Sequence, residues 1–372
     1  MATELKRFQP APETLSGLTA TNAEAQNPSM NNSGDIQLAI IIPAYKAEFL
    51  RVALDSIASQ TEQRFQLYVG DDCSPAPIAE IVREFSKMLP IKYHRFDDNL
   101  GGISLVQHLE RCIRMTCEPW IWIFSDDDFM DVGCVAAFFE ELKRPGGTYD
   151  VYRFNSVWID SKNNLTTVNP PHPQNETGSE FLLARLRGDN TSNMQELIFS
   201  RQAWETIGGI PDFPLGWASD DAFIAKLGAR RPIRTISGPV VNWRLSGLNI
   251  SSDKSNSASR GKLKASHLFV EWATDFFESH TFAEDKLHRK ELNRLTENWF
   301  FNYVSYSWRF LSLRACWEID RLAVRLWRRR KGHGFLKAIQ SNCALAIAKI
   351  FYKCAGVRFN HTRNPQPDLL QP

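Results

Sequence analysis

The chain contains no GxxxxGK[ST] motif, and no GxGxxG follows its first apolar run. Both common glycine cradles for a nucleotide's phosphates are therefore missing, which argues against a P-loop enzyme and a dinucleotide oxidoreductase. Paired cysteine is lacking too. The seven cysteines are an odd number and show no CxxC or metal-type spacing. Cys73, Cys112, Cys117 and Cys134 fall in apolar or motif-bearing segments, as expected of reduced thiols in a cytoplasmic protein. No run of about eighteen uncharged apolar residues occurs, so no spanning helix is expected. Nor does the amino terminus carry a basic stretch followed by an apolar core, and no secretory leader is expected. Hydrophobic content of 43% and charged content of 23% are those of a soluble globular chain.

What is present is an alternation. Residues 1–34 are rich in Ala, Thr, Asn, Ser and Pro, have no period and read as a flexible tail. Leu38 to Ile42 then forms a continuous apolar run stopped by Pro43, the pattern of a strand buried on both faces. Phe49/Leu50, Ala53/Leu54 and Ile57 follow at helical spacing. A second strand, Phe65 to Val69, ends in Gly70-Asp71-Asp72-Cys73-Ser74, and Ile78, Ile81, Val82, Phe85 and Leu89 stripe the next helix. Ile91 to Phe96 reads as a third strand closed by Asn99-Leu100-Gly101-Gly102; a helix from about Ser104 to Cys117 precedes the strand beginning at Trp120. Repeated strand and helix imply right-handed βαβ units and a parallel sheet. Ligands of such sheets bind beyond the carboxyl ends of the strands. Each polar cluster sits at such an end: Pro43-Ala44-Tyr45, Asp71-Asp72, Asn99 to Gly102, and Ser125 to Asp128.

The last cluster is the densest. Five apolar residues, Trp120 to Phe124, run through Ser125 into three consecutive carboxylates, Asp126, Asp127 and Asp128. Like charges repel at that spacing, and a divalent cation, Mn²⁺ or Mg²⁺, would resolve the conflict by binding carboxylate and phosphate oxygens. A solvated acidic turn before a helix is the plainer alternative.

Taken together, Ile-Ile-Ile-Pro-Ala-Tyr (40–45), Val-Gly-Asp-Asp-Cys-Ser (69–74), Asn-Leu-Gly-Gly (99–102) and Phe-Ser-Asp-Asp-Asp (124–128) resemble the nucleotide-binding half of a family 2 glycosyltransferase with a GT-A fold, over residues 36–142. The family usually has Asn after the Tyr and Gly after the Asp pair; Lys46 and Cys73 depart from that pattern, at positions where the chemistry is not expected to fail. The resemblance implies an α/β fold, a GT-A mostly parallel sheet flanked by helices, at 35–255; the sequence pattern beyond it reads as a mainly helical basic region at 256–372. It implies that Pro43, Tyr45 and Asp72 line a base pocket, with Asn99, Gly101, Asp126 and Asp127 around the nucleotide, and that Asp126 and Asp128 hold the metal across a diphosphate. An Asx turn at the strand end is the structural alternative for Asp72.

The resemblance continues to about residue 252. Tyr149 to Phe154, Val157 to Ile159 and Leu197 to Arg201 read as strands, and Phe181 to Leu186 as a short helix. The family's acidic pair ahead of a helix has its counterpart at Ser219-Asp220-Asp221. Setting Lys226-Leu227 on the family's Arg-Leu makes Asp220 the catalytic base, while setting carboxylate on carboxylate makes it Asp221. The downstream helical frame favours Asp220, and first-turn acids placed by the helix dipole remain an alternative for both. Val240 to Arg244, then Asn249 to Ser252, resembles the segment closing the family's site, where Arg244 would either pair with the diphosphate or be a surface arginine.

The implied activity is metal-dependent, inverting transfer of a sugar from a nucleoside diphosphate donor to an acceptor hydroxyl. The commonest setting for such sequences is surface-polysaccharide (O-antigen) assembly on a lipid-linked acceptor. The rivals are a nucleotidyltransferase, for which no Gly-rich loop with Arg or Lys follows the first strand, and a non-catalytic nucleotide-sugar binder. Residues 321–367 carry eleven Lys or Arg without one Asp or Glu, among apolar residues at helical spacing. That pattern suits a helix lying on an anionic membrane surface at the cytoplasmic leaflet, and a helix packed on the catalytic domain with a solvated basic face is the plainer alternative. No nucleic-acid module accompanies it, so nucleic acid is not an expected partner.

Overall fold

In the computed structural model the described residues are 37–279 apart from 146 and 148, together with 291, 292, 294–296, 298, 299, 321 and 324. The chain divides into residues 1–35 and 36–372, and the described residues all belong to the second unit. The expected tail at 1–34 and all of 321–367 except Arg321 and Val324 lie outside them.

The first apolar run becomes β1 (Leu38–Ala44), with β2 (Phe65–Asp71) and β4 (Trp120–Ile123) parallel to it on either side. β3 (Ile91–Arg95) extends the sheet parallel to β2. Because β1 is flanked on both faces, Ala39 and Ile41 enter one core while Leu38, Ile40 and Ile42 enter the other. Both sets are fully buried, which is why the sequence there is continuously apolar rather than alternating. α1 (Leu50–Ala58) and α2 (Ile78–Phe85) bury the stripes read from their spacing: Leu50, Ala53, Leu54 and Ile57 in one, Ile78, Ile81, Val82 and Phe85 in the other. α3 (Leu105–Ile113) starts where the Ser104 hydroxyl accepts the Gln107 N–H.

Beyond β4 the sheet becomes mixed. The strand order is β3-β2-β1-β4-β9-β6-β10-β5, where β5 is Phe129–Met130, β6 Val151–Ile159, β9 Leu197–Ser200 and β10 Ile233–Arg244. β9 runs antiparallel to both β4 and β6, β10 is parallel to β6, and β5 is antiparallel to β10. Short β7 (Leu165–Val168) and β8 (Asn175–Glu176) pair with β6 and β10. The two strands read at 149–154 and 157–159 are one. The polar residues between them are satisfied by a neighbouring loop: Asn155 Oδ1 accepts the His172 N–H at 2.8 Å and Ser156 Oγ the Asn169 amide at 2.8 Å. The order of winding reverses between the parallel strands β1 and β4, and the crevice past their carboxyl ends is the switch point of this sheet.

Helices α4 (Cys134–Leu142), α5 (Gly178–Arg187), α6 (Arg201–Ile207), α7 (Ser219–Gly228) and α8 (Asn256–Ser279) complete the described elements. α5 opens with a reciprocal capping box between Thr177 and Glu180. α8 buries Ala265, Phe269, Ala273, Phe276 and Phe277 in the same core as α7.

Candidate functional site

The strand ends converge on one cavity of about 460 Å³. β1 contributes Pro43 to its wall and the segment just after it Tyr45 and Lys46; the turn after β2 contributes Asp72; the loop after β3, Asn99, Gly101 and Gly102; the loop after β4, Ser125, Asp126 and Asp127; and the start of α7, Asp220. Of the residues expected at the nucleotide, all but Arg244 line it, and of the two candidate bases Asp220 does and Asp221 does not.

Asp72 is held by its surroundings. Its Oδ1 accepts the Leu100 N–H at 3.0 Å and a bond from Arg111, and its Oδ2 accepts the Gly101 N–H at 2.8 Å. Gly101 must be glycine for that approach, since a Cβ would stand 2.5 Å from Asp72 Oδ2. His108 Nδ1 lies 3.2 Å from Asp72 Oδ1, and burial pushes its imidazole down to about 4 against the pull of Asp72. Arg111 stacks on Phe96, its guanidinium carbon 3.8 Å from the ring centre. The carboxylate thus faces the cavity from a fixed position, with Oδ2 engaged by a single donor.

The acidic triplet divides three ways. Asp126 Oδ2 accepts the backbone N–H groups of Tyr45 and Lys46 at 2.9 and 2.8 Å, which ties the end of β4 to the end of β1. Burial and the neighbouring Asp127 charge push Asp126 up to about 6, with Lys46 and the two N–H groups opposing. Asp127 meets Lys46 Nζ at 3.3 Å and the Asn249 amide at 3.5 Å. Asp128 turns away from the cavity and is fully buried. Its Oδ1 accepts the Arg244 N–H at 2.7 Å, and its Oδ2 has no protein partner. Burial, then the Asp127 charge, holds this carboxyl well above the usual range.

Arg244 is neither a surface residue nor a wall of the cavity. It is fully buried, with its Nε on Asp127 O at 2.6 Å, its Nη1 on Asp160 O at 2.9 Å and its guanidinium over the Phe49 ring at 4.3 Å. It braces the loop that carries the triplet. Of the triplet, Asp126 and Asp127 line the cavity, and Asp127, whose oxygens hold no backbone N–H, is the one that would meet a divalent cation, with phosphate oxygens completing its shell. Among the described residues no group of three or more His, Cys, Asp or Glu could hold a metal ion by itself. Asp128, expected as a ligand, has its open oxygen in the protein interior.

Asp220 and Asp221 are separated by Arg185 of α5. Arg185 binds Asp221 through Nε to Oδ1 at 2.6 Å and Nη2 to Oδ2 at 3.1 Å, a two-pronged pair that fixes that carboxylate away from the cavity. Asp220 Oδ1 accepts the Asp221 N–H at 2.9 Å, and the residue opens on the cavity. Burial, then the charge of Asp221, pushes Asp220 up to about 7, with Arg185 opposing. Ala218 ahead of the helix sits in the left-handed region (φ 62°), which aims the first turn of α7 at the crevice.

Sequence reasoning did not find Arg111, Arg185 or Lys262. Each acts on a carboxylate or loop distant in sequence, so no local pattern marks it. Lys262 of α8 donates to the carbonyls of Ser251 and Asp253 at 2.9 Å each and lies 4.9 Å from the Trp217 ring centre. It thereby holds the wall made by Asn249, Ile250, Ser251 and Trp217.

Residues 39–198 match the family profile described as Glycosyl transferase family 2. An uncharacterized glycosyltransferase of Haemophilus influenzae is 26% identical over 176 residues, which are 46% of this chain and 56% of that protein. The match thus spans little more than half the relative's length. The crystal structure of S. aureus TarS 1-349 in complex with UDP-GlcNAc shares the fold at a TM-score of 0.54, with 14% identity over 87% of this chain and 93% of its own. The profile match, the parallel half-sheet and the strand-end cavity agree: residues 39–198 are similar to the family 2 glycosyltransferases, in a fold shared with TarS.

Proposed function

We propose that the chain is an inverting glycosyltransferase that takes its sugar from a nucleoside diphosphate donor. The observation that carries this reading is a sorting of carboxylates. Asp127 and Asp220 open on one cavity, while Asp128 is spent on the Arg244 backbone and Asp221 on the Arg185 guanidinium. Asp127 would thus be free to meet a metal and Asp220 to act as a base, each with a neighbour that serves the fold.

In this reading Asp72 meets the nucleotide base, a suitable role for a carboxylate toward a ring N–H or amino group. Tyr45 and Pro43 flank it. Asp127 would hold Mn²⁺ or Mg²⁺, which when bound offsets the negative charge developing on the departing diphosphate. Asp220 takes the proton of the acceptor hydroxyl as that oxygen attacks the anomeric carbon from the face opposite the leaving group, so the configuration inverts. The wall from Trp217 and Asn249 to Ser251 receives the acceptor. A lipid-linked glycan in surface-polysaccharide assembly is the acceptor class proposed, in keeping with the basic segment at 321–367.

The test is nucleoside diphosphate release from UDP-, GDP-, CDP- and dTDP-sugars in Mn²⁺, with free and lipid-linked glycan acceptors. Acceptor-dependent release with a single inverted product supports the reading. Pyrophosphate release from a nucleoside triphosphate and a sugar phosphate would make the chain a nucleotidyltransferase, and tight donor binding without turnover a carrier.

A further inference from the structure

Lys46 stands where the resembling family usually has Asn. Among the described residues it is the one Lys or Arg that lines the cavity. The same cavity is lined by the carboxylates of Asp72, Asp126, Asp127 and Asp220. A diphosphate entering that wall needs positive charge, and the two nearby arginines, one of them the expected Arg244, are committed elsewhere. Arg244 is buried behind the triplet loop, and Arg111 is bound to Asp72 and Asp98. Two sources remain: a divalent cation on Asp127, and the Lys46 ammonium.

Both claim the same oxygen. Lys46 Nζ is 3.3 Å from Asp127 Oδ2, the carboxylate that would anchor the metal. The Lys46 backbone is fixed by the 2.8 Å bond from its N–H to Asp126, while its side chain is still one-third exposed to the cavity. A flexible four-carbon stem on an anchored backbone lets the ammonium swing from Asp127 to a phosphate oxygen a short distance away, acting as a mobile point charge. We infer that Lys46 binds the donor's diphosphate directly and competes with the divalent cation for Asp127, so that donor binding by this chain depends only partly on metal. The inference rests on the nucleotide-sugar reading of the same cavity and adds a residue to it.

The experiment is calorimetric titration of the full chain and its Lys46→Met and Lys46→Arg variants with UDP, GDP, CDP and dTDP, in EDTA and in Mn²⁺. It is paired with Mn²⁺ binding in the absence of nucleotide, followed by electron paramagnetic resonance. Wild type is expected to keep measurable affinity for its nucleotide in EDTA. Lys46→Met should lose about tenfold or more of it there, the worth of one charge-assisted hydrogen bond, and Lys46→Arg should keep most of it. Mn²⁺ alone should bind Lys46→Met more tightly than wild type, because the competitor for Asp127 is gone. A lysine that merely steadied Asp127 would instead weaken Mn²⁺ binding when removed, and that result overturns the inference. So does wild-type binding that vanishes in EDTA, or Lys46→Met binding equal to wild type there; either leaves the nucleotide reading intact. If none of the four nucleotides binds wild type even in Mn²⁺, the nucleotide reading fails and the role of Lys46 with it.

Discussion

At the start of α7 two adjacent aspartates meet different fates because Arg185 bonds only one of them. Asp220, left facing the cavity and raised to about 7 by burial and the Asp221 charge, is suited to accept a proton near neutral pH. Transfer should therefore rise with pH through about 7 as Asp220 loses its proton. Asp220→Asn should keep donor binding while turnover falls about 10²–10⁴-fold. Should Asp221→Asn give that loss and Asp220→Asn not, the base is misassigned. The same shift has a cost to stability. A carboxyl whose folded pKa lies above its unfolded value stabilises the fold when protonated, and that contribution is lost as pH rises from about 4 to about 7. Asp220→Asn should thus melt higher than wild type at pH 8, with the difference shrinking as pH falls below 7; an equal Tm at pH 8 contradicts the shift. Asp128 is a second residue-scale case. Asp128→Asn retains an oxygen for the Arg244 N–H and should fold well. Asp128→Ala leaves that buried donor unpaired and should cost about 1–3 kcal/mol in chemical denaturation. Equal stability of the two variants, with lost metal binding in both, would return Asp128 to the role of ligand. The sequence marked this triplet but not which member faces the cavity. Beyond the end of β4 the pleat no longer fixes side-chain direction, and the partner that captures Asp128 lies 116 residues away.

Between elements, the contact that places this chemistry is the close approach of α5 and α7, one bearing Arg185 and the other both aspartates. It depends on Gly178, where a Cβ would lie 2.0 Å from Ala225 O, a backbone atom that cannot move aside alone. Gly178→Ala should separate the helices, costing at least about 1–3 kcal/mol. It should also lower turnover, because the Asp221–Arg185 pair and the first turn of α7 shift together. Gly133→Ala, where an added Cβ meets nothing within 4 Å, is the control and should be near neutral. Urea midpoints that move equally in both variants would refute the packing account. Elements were legible where one face pattern decided them. β1, β2, α1 and α2 follow from apolar run or stripe alone, as does their parallel pairing. β9 was readable as a strand at Leu197 to Arg201, but its antiparallel direction and the short helix α6 behind it were not. β9 is four residues long, and its direction is set by pairing with β4 and β6, which no local pattern encodes. The single strand β6 was hidden for a related reason, since Asn155 and Ser156 read as a break until the loop at 169–172 supplies their partners.

Across the whole molecule, charge is distributed unevenly. The net formal charge is +2, yet residues 321–367 alone hold eleven Lys or Arg and no acid, so the remainder is net acidic. No described helix is long and apolar enough to cross a membrane. A basic segment on an otherwise acidic chain is drawn to anionic surfaces, and each Lys or Arg near such a surface contributes about 1 kcal/mol, falling off within a Debye length of about 8–10 Å. We propose that this segment brings the enzyme to the leaflet where a lipid-linked acceptor would present its sugar. Arg325, Arg328, Arg329, Arg330 and Lys331 are its densest part, the last four consecutive. The full chain should sediment with vesicles containing phosphatidylserine or phosphatidylglycerol at low salt, and less at about 0.5 M salt, where screening shortens the reach of each charge. It should not sediment with purely zwitterionic vesicles. Replacing the four residues with Gln should weaken vesicle binding at least tenfold, since about 4 kcal/mol of surface attraction is removed. Nucleotide affinity should not change. Sedimentation that ignores lipid charge, salt and the substitutions would end the membrane proposal and leave the cavity's chemistry as argued. A loss of nucleotide binding in the variant would instead tie the basic segment to the catalytic domain itself, as a packed helix whose charges serve the fold.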